Sequence, residues 1–105
     1  MAFETPKERY ASFGIVSNIP GQLVDNIWKV IDQYLIGLYP LDTLLTCHIL
    51  KKEKNLSLEF TFSRPRISIV FDLTIPFNPF YPHKILILEG KNSQTILLPE
   101  EIDLF

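Results

Sequence analysis

One cysteine, one methionine, one tryptophan, two histidines and four glycines are all that 105 residues contain of those types. Each scarcity excludes a class of protein. The lone Cys47 cannot close an internal disulfide, so a disulfide-stapled secreted domain is excluded and a reducing cytosol is the expected setting. Gly14, Gly21, Gly37 and Gly90 are scattered, and none precedes a Lys-Ser or Lys-Thr pair, so there is no phosphate-cradling loop. Cys47 and His48 are adjacent, which puts them on opposite faces of a strand, and His83 has no ligand-type neighbour in sequence. No metal-binding spacing results. No apolar run approaches the ~20 residues of a membrane span. No charged segment followed by an apolar one opens the chain, so no secretory signal is expected. The net charge of −2 is too small for a polyanion mimic or a strongly basic nucleic-acid binder.

What is present is a packed-domain composition. Apolar residues make up 47% and charged residues 21%, which fits one folded domain over residues 1–105. Residues 1–8 read as a lead-in and 100–105 as an acidic tail. The organising stretch is 19–38. Leu23, Ile27, Val30, Ile31, Tyr34, Leu35 and Leu38 recur at helical spacing, and Gln22, Asp25, Asn26, Lys29, Asp32 and Gln33 take the opposite side. Ser17 or Asn18 can cap this helix, Pro20 suits its first turn, and Gly37 and Pro40 end it.

Around it the chain reads as strands. Residues 9–16 alternate loosely, with Tyr10, Phe13 and Ile15 as apolar members and Gly14 marking a bulge or a close backbone approach. Strands are expected at 44–50, 56–62 and 67–73. In the last two, Leu56, Leu58, Phe60 and Phe62, then Ile67, Ile69, Phe71 and Leu73, alternate with mostly polar residues. Pro65 sits between them in a hairpin connection. Residues 74–83 (TIPFNPFYPH) are too rich in proline for a central strand and read as a stiff loop. Strands at 84–89 and 94–98 complete an α+β domain. It is one long amphipathic helix packed on a mainly antiparallel sheet of five or six strands. An exposed edge at 9–16 or 94–98 could pair across a homodimer.

No residue pattern points to catalysis. A Cys47 nucleophile with a histidine base has no local support, and Glu100 with Glu101 reads as a solvated tail, so the chain is expected not to be an enzyme and to need no cofactor. Two features suit binding. Phe77, Phe80 and Tyr81 are held by flanking prolines, and they either anchor a protein partner or fold back to close one end of the core. Lys51, Lys52, Lys54, Arg64 and Arg66 concentrate the basic charge. They serve either as ordinary solvation or as contacts to nucleic acid or to carboxylates of a protein. If 56–62 and 67–73 form a hairpin, the lysines and the arginines lie at opposite rims. Trp28, at the edge of the apolar stripe, reads as a half-buried anchor.

Both ends carry a resemblance. Arg9-Tyr10-Ala11-Ser12-x-Gly14-Ile15, then Ile19-Pro20, Leu23, Trp28 and Ile31-Asp32, with the ending Thr95-x-Leu97-Leu98-Pro99-Glu100-Glu101, is similar to the domain-of-unknown-function family numbered nine hundred and sixty. Those are small chains of Gram-positive bacteria and their phages and plasmids. The segment TIPFNPFYPH departs from that pattern. The resemblance implies no catalytic residues. It implies a cytoplasmic setting, a link to mobile elements, and from that company a protein that binds and inhibits a host machine. The sharpest such expectation is an anti-CRISPR type inhibitor of an RNA-guided nuclease. The alternative is a nucleic-acid-binding accessory protein using the basic hairpin ends. A weaker similarity joins the strands ending in Phe71-x-Leu73-x-Ile75, with Tyr81-Pro82 after them, to the meander of ubiquitin-conjugating-enzyme-like and RWD domains. No cysteine follows Tyr81 as conjugating chemistry would need.

Overall fold

The computed structural model describes residues 8–35, 44–62, 67–89 and 93–104. These form six strands, β1 (Glu8–Ala11), β2 (Leu44–Lys52), β3 (Asn55–Phe62), β4 (Ile67–Pro76), β5 (Lys84–Glu89) and β6 (Ser93–Leu97). Helix α1 (Phe13–Asn18) follows β1, and α2 (Gly21–Val30) continues into a π-helical turn, Ile31–Leu35. A 3-10 helix, Pro99–Leu104, comes last. The sheet order is β1-β6-β5-β2-β3-β4. The α+β class holds, but the sheet is mixed: β1 runs parallel to β6, and the other four pairings are antiparallel.

Alternation decides the core. Leu45, Cys47 and Ile49 of β2, Leu58 and Phe60 of β3, Ile85 and Ile87 of β5 and Ile96 of β6 all turn to one face. Leu23, Ile27, Val30, Ile31 and Leu35 cover that face, joined by Ile15 and Ile19. The hairpin of β3 with β4 forms in the expected register, Phe60 opposite Ile69 and Leu58 opposite Phe71. The meander of β2, β3 and β4 is present, yet β5 returns to pair with β2 instead of continuing from β4.

Several local expectations are corrected. Residues 9–16 are not one strand, because pairing stops at Ala11 and Ser12 caps α1, its Oγ accepting from the Ile15 N–H at 3.2 Å. Tyr10 and Phe13 are consequently exposed, and Ile15 alone of the three is buried. Neither Ser17 nor Asn18 caps α2. The Pro20 carbonyl accepts from the N–H groups of Leu23 and Val24, while Asn18 turns back to donate to the Gly14 carbonyl. The long helix loses α geometry at Ile31, and Tyr34 leaves the core stripe for a tilted contact with Phe71, ring centroids 5.3 Å apart. Gly37, Leu38 and Pro40 lie outside the described residues. The segment 74–76 belongs to β4, since Pro76, opposite Asn55, lies on an outer strand where a missing N–H is tolerated. The strand expected at 94–98 is β6 and is interior, so among the described residues the sheet's edges are β1 and β4.

No helix of the described residues is long and apolar enough to cross a membrane. Ile27 is fully buried between α2 and the sheet. Ile27→Ala should lower unfolding free energy by about 2–5 kcal/mol, whereas Gln22→Ala on the exposed side should stay within about 0.5 kcal/mol. Urea denaturation of both variants measures the contrast.

Candidate functional site

Strand directions collect Phe77, Phe80, Tyr81, Lys51, Lys52 and Lys54 at one end of the sheet. The carboxyl ends of β1, β2, β4 and β6 and the amino ends of β3 and β5 all lie there. So do α1, the 3-10 helix, the turn at Glu53 and Lys54, and the connection 77–83.

That connection is ordered by its own chemistry. Asn78 precedes Pro79, a residue that pre-sets the backbone of a turn. The Asn78 carbonyl accepts from the Tyr81 N–H at 3.0 Å, and its Oδ1 accepts from the Phe80 N–H at 2.9 Å. The Phe77 N–H donates to the Lys54 carbonyl and the Ile49 N–H to the His83 carbonyl, so both ends of the connection are tied to the sheet. The three aromatics then separate. Phe77 and Tyr81 pack against the core, while Phe80 stands 89% exposed. Exposed Phe13 and Val16 on α1 share this end of the sheet. Sequence reasoning missed both. Their three-residue spacing after Ser12 is helical, and that was the available signal.

The basic residues also separate. Lys52 bridges to Asp72 at 2.6 Å, and the Ser57 hydroxyl donates to the same carboxylate. The lysine holds the Asp72 carboxyl below its ordinary range and is itself pushed up. Lys51 and Lys54 are exposed and have no ion-pair partner among the described residues. Arg64 and Arg66 lie outside the described residues. Phe62 and Ile67, which flank them, pair at the far end of the hairpin from the lysines.

Cys47 is fully buried in the core, and desolvation pushes its thiol well above the ordinary range. A nucleophilic thiolate is disfavoured there. His48 is on the other face, its Nδ1 3.8 Å from Glu59, and His83 is exposed in the connection. Among the described residues no three His, Cys, Asp or Glu side chains cluster to hold a metal ion.

Glu101 is the residue that the reading of a solvated tail overlooked. Its Oε1 accepts from the Ser12 hydroxyl at 2.5 Å and from the Leu98 N–H at 2.9 Å, and its Oε2 from the Gly14 N–H at 3.1 Å. The Ser12 bond is the main reason its carboxyl lies below the usual range. Through Gly14 it satisfies one of the first N–H groups of α1, which have no partner within the helix. A Cβ at Gly14 would stand 2.6 Å from Leu98 Cδ1 and 3.0 Å from the Glu101 carboxyl carbon. The close approach expected at Gly14 is therefore real, and it is made by the far end of the chain.

Arg9 closes one flank of α2. Its guanidinium donates to both Asp32 oxygens at 2.8 and 2.6 Å and, through Nε, to Gln94 Oε1 at 2.8 Å. It also lies 4.4 Å from the centroid of the Trp28 ring, a fork and a stack that lysine could not reproduce. Among the described residues the flank beside β4 is open. There a groove of about 250 Å³ runs between α2 and β4.

Residues 8–101 match the family described as "Staphylococcal protein of unknown function (DUF960)". The chain belongs to this family. A crystal structure described as that of a protein of unknown function from Enterococcus faecalis is 33% identical, with a TM-score of 0.93 over 97% of this chain and 96% of that one. The comparison with curated proteins finds no match. The residues through which this DUF960 chain was recognised now have structural work. Arg9 with Trp28 and Asp32, and Ser12 with Gly14 and Glu101, are partners of one another across the fold.

Glu101 supplies a pH test. Its folded-state pKa is depressed, so the unfolded chain binds the proton more readily. Its stabilisation is full above the ordinary carboxylate value of 4.5 and is lost as pH falls through the lowered folded value. Glu101→Gln should be less stable than the parent at pH 7, and the gap between their urea midpoints should narrow in acid. For Cys47, alkylation at neutral pH should require unfolding, and mass spectrometry with and without urea reads this directly.

Proposed function

We propose that this protein is a non-enzymatic protein-binding module whose partner docks on the end of the sheet that presents Phe80. The observation that carries the reading is a large aromatic side chain, 89% exposed, on a turn pinned by its own hydrogen bonds. A pre-ordered aromatic loses little entropy on binding, and such anchors dominate interface energetics. Single exposed apolar residues are ordinary. Here Phe13, 85% exposed, and Val16, 67% exposed, add to Phe80 at the same end of the sheet. Lys51 at the end of β2 and Lys54 in the adjoining turn are exposed at this end, on either side of Glu53, and suit partner carboxylates.

The narrower proposal is an inhibitor or accessory factor of a phage or plasmid, at its sharpest an anti-CRISPR type inhibitor of an RNA-guided nuclease. It rests on the family's company and gains nothing from the residues of this end. A cytoplasmic location belongs to the same proposal. The alternative, nucleic-acid binding, draws on Lys51 and Lys54. It is weakened by the engagement of Lys52 with Asp72, and it requires affinity that falls steeply with salt.

Capture of partners from a Gram-positive host lysate tests the main reading. Phe80→Ala should cost about 2 kcal/mol or more of affinity for a captured protein and leave the Tm unchanged, while Phe77→Ala should lower the Tm. Recovery of no stoichiometric partner, or a Phe80→Ala variant that behaves like the parent, would refute it.

A further inference from the structure

The sheet ends at β4, and no described residue pairs with its outer edge. Its ten residues, ISIVFDLTIP, carry a single charge, Asp72, which is already engaged by Lys52 and Ser57. A long apolar edge is a template for another strand. Beside it lies the groove, whose lining includes Lys29, Val30, Tyr34, Phe71, Asp72 and Leu73. Tyr34 is 48% exposed although it leans on Phe71, and Lys29 has no ion-pair partner among the described residues.

The opposite flank of α2 shows what a strand does in this position. There β1 adds to β6 and lays Arg9 on Trp28 and against Asp32. The open flank offers the same combination with the charge reversed, an aromatic ring, Tyr34, and a cation, Lys29. We infer that β4 takes up an extended peptide of another protein as a seventh strand, its groove-side apolar residues on Tyr34 and Phe71 and an acidic side chain reaching Lys29. Main-chain hydrogen bonds supply affinity in such strand addition, and alternate side chains supply selectivity. A second copy of β4 fits poorly. Its one carboxylate, Asp72, is already held by Lys52 and Ser57, so it has none to spare for Lys29. This surface is distinct from the Phe80 end, so either assignment can fail without the other.

The test uses the full chain, isotope-labelled, and two acetylated and amidated peptides as long as β4. Both alternate Val and Thr, and they carry either Glu or Lys at one central Val position. The Glu peptide should slow amide exchange along β4, shift the Lys29, Tyr34 and Phe71 resonances, and bind about fivefold more tightly than the Lys peptide. Lys29→Glu, an exposed helix substitution, should reverse that order. Equal affinity for the two peptides, no effect of either on β4, or shifts confined to Phe80 and Phe13 would overturn the inference. So would β4 protection that grows with protein concentration in the absence of peptide, which would assign the edge to a second copy.

Discussion

One carboxylate, that of Glu101, joins two parts of the chain that lie 89 residues apart. By accepting hydrogen bonds from Ser12, Gly14 and Leu98 it sets α1 against the segment that follows β6. Bringing such distant segments together has an entropic cost, and the parallel pairing of β1 with β6 requires them to be side by side. Placement of α1 in turn puts Ile15 and Ile19 into the core and fixes where α2 begins its passage over the sheet. The helical cover of the sheet is built outward from that junction.

The passage of α2 has a geometric consequence. A helix with its side chains is about 10–12 Å across, and six strands at about 4.8 Å spacing are roughly twice as wide. One helix therefore leaves a margin on each side. At the β1 margin Arg9, Trp28, Asp32 and Gln94 fill the space with a charge-assisted network. At the β4 margin Tyr34 and Phe71 fill only part of it, and a groove remains. The asymmetry separates scaffold from surface. Arg9, Trp28 and Asp32, and Ser12, Gly14 and Glu101, hold the fold, whereas Phe80 and the β4 flank face solvent among the described residues.

Much of the scaffold was legible because its signals are local. Leu56, Leu58, Phe60 and Phe62 alternate with polar neighbours, and a period of two has one meaning for a half-covered strand. The stripe of Leu23, Ile27, Val30 and Ile31 likewise announces a helix. The failures came where a local pattern was short or its partner distant. Residues 9–16 hold five apolar side chains, Tyr10, Ala11, Phe13, Ile15 and Val16, without a clean alternation, and the hydrogen bond of Ser12 to Glu101, which helps to end β1, comes from the far end of the chain. Glu101 itself carries no local mark that distinguishes it from Glu100, which is exposed. The π turn at Ile31–Leu35 left no signal either, since apolar spacing there suits an α-helix equally well.

The sequence alone determined the α+β class, the buried faces of β3 and β4, the principal helix, the stiff proline-rich connection after β4 and family membership. Each of these depends on periodicity, backbone restriction or a motif, and all are properties of neighbouring residues. Only the tertiary structure decided that the sheet is mixed, that β4 and not β6 is an edge, that Cys47 is sealed in the core, and that Phe80 is presented while Phe77 and Tyr81 are packed. Those outcomes turn on which strand lies beside which and on what covers each side chain. Such contacts between distant segments have no counterpart in the linear pattern.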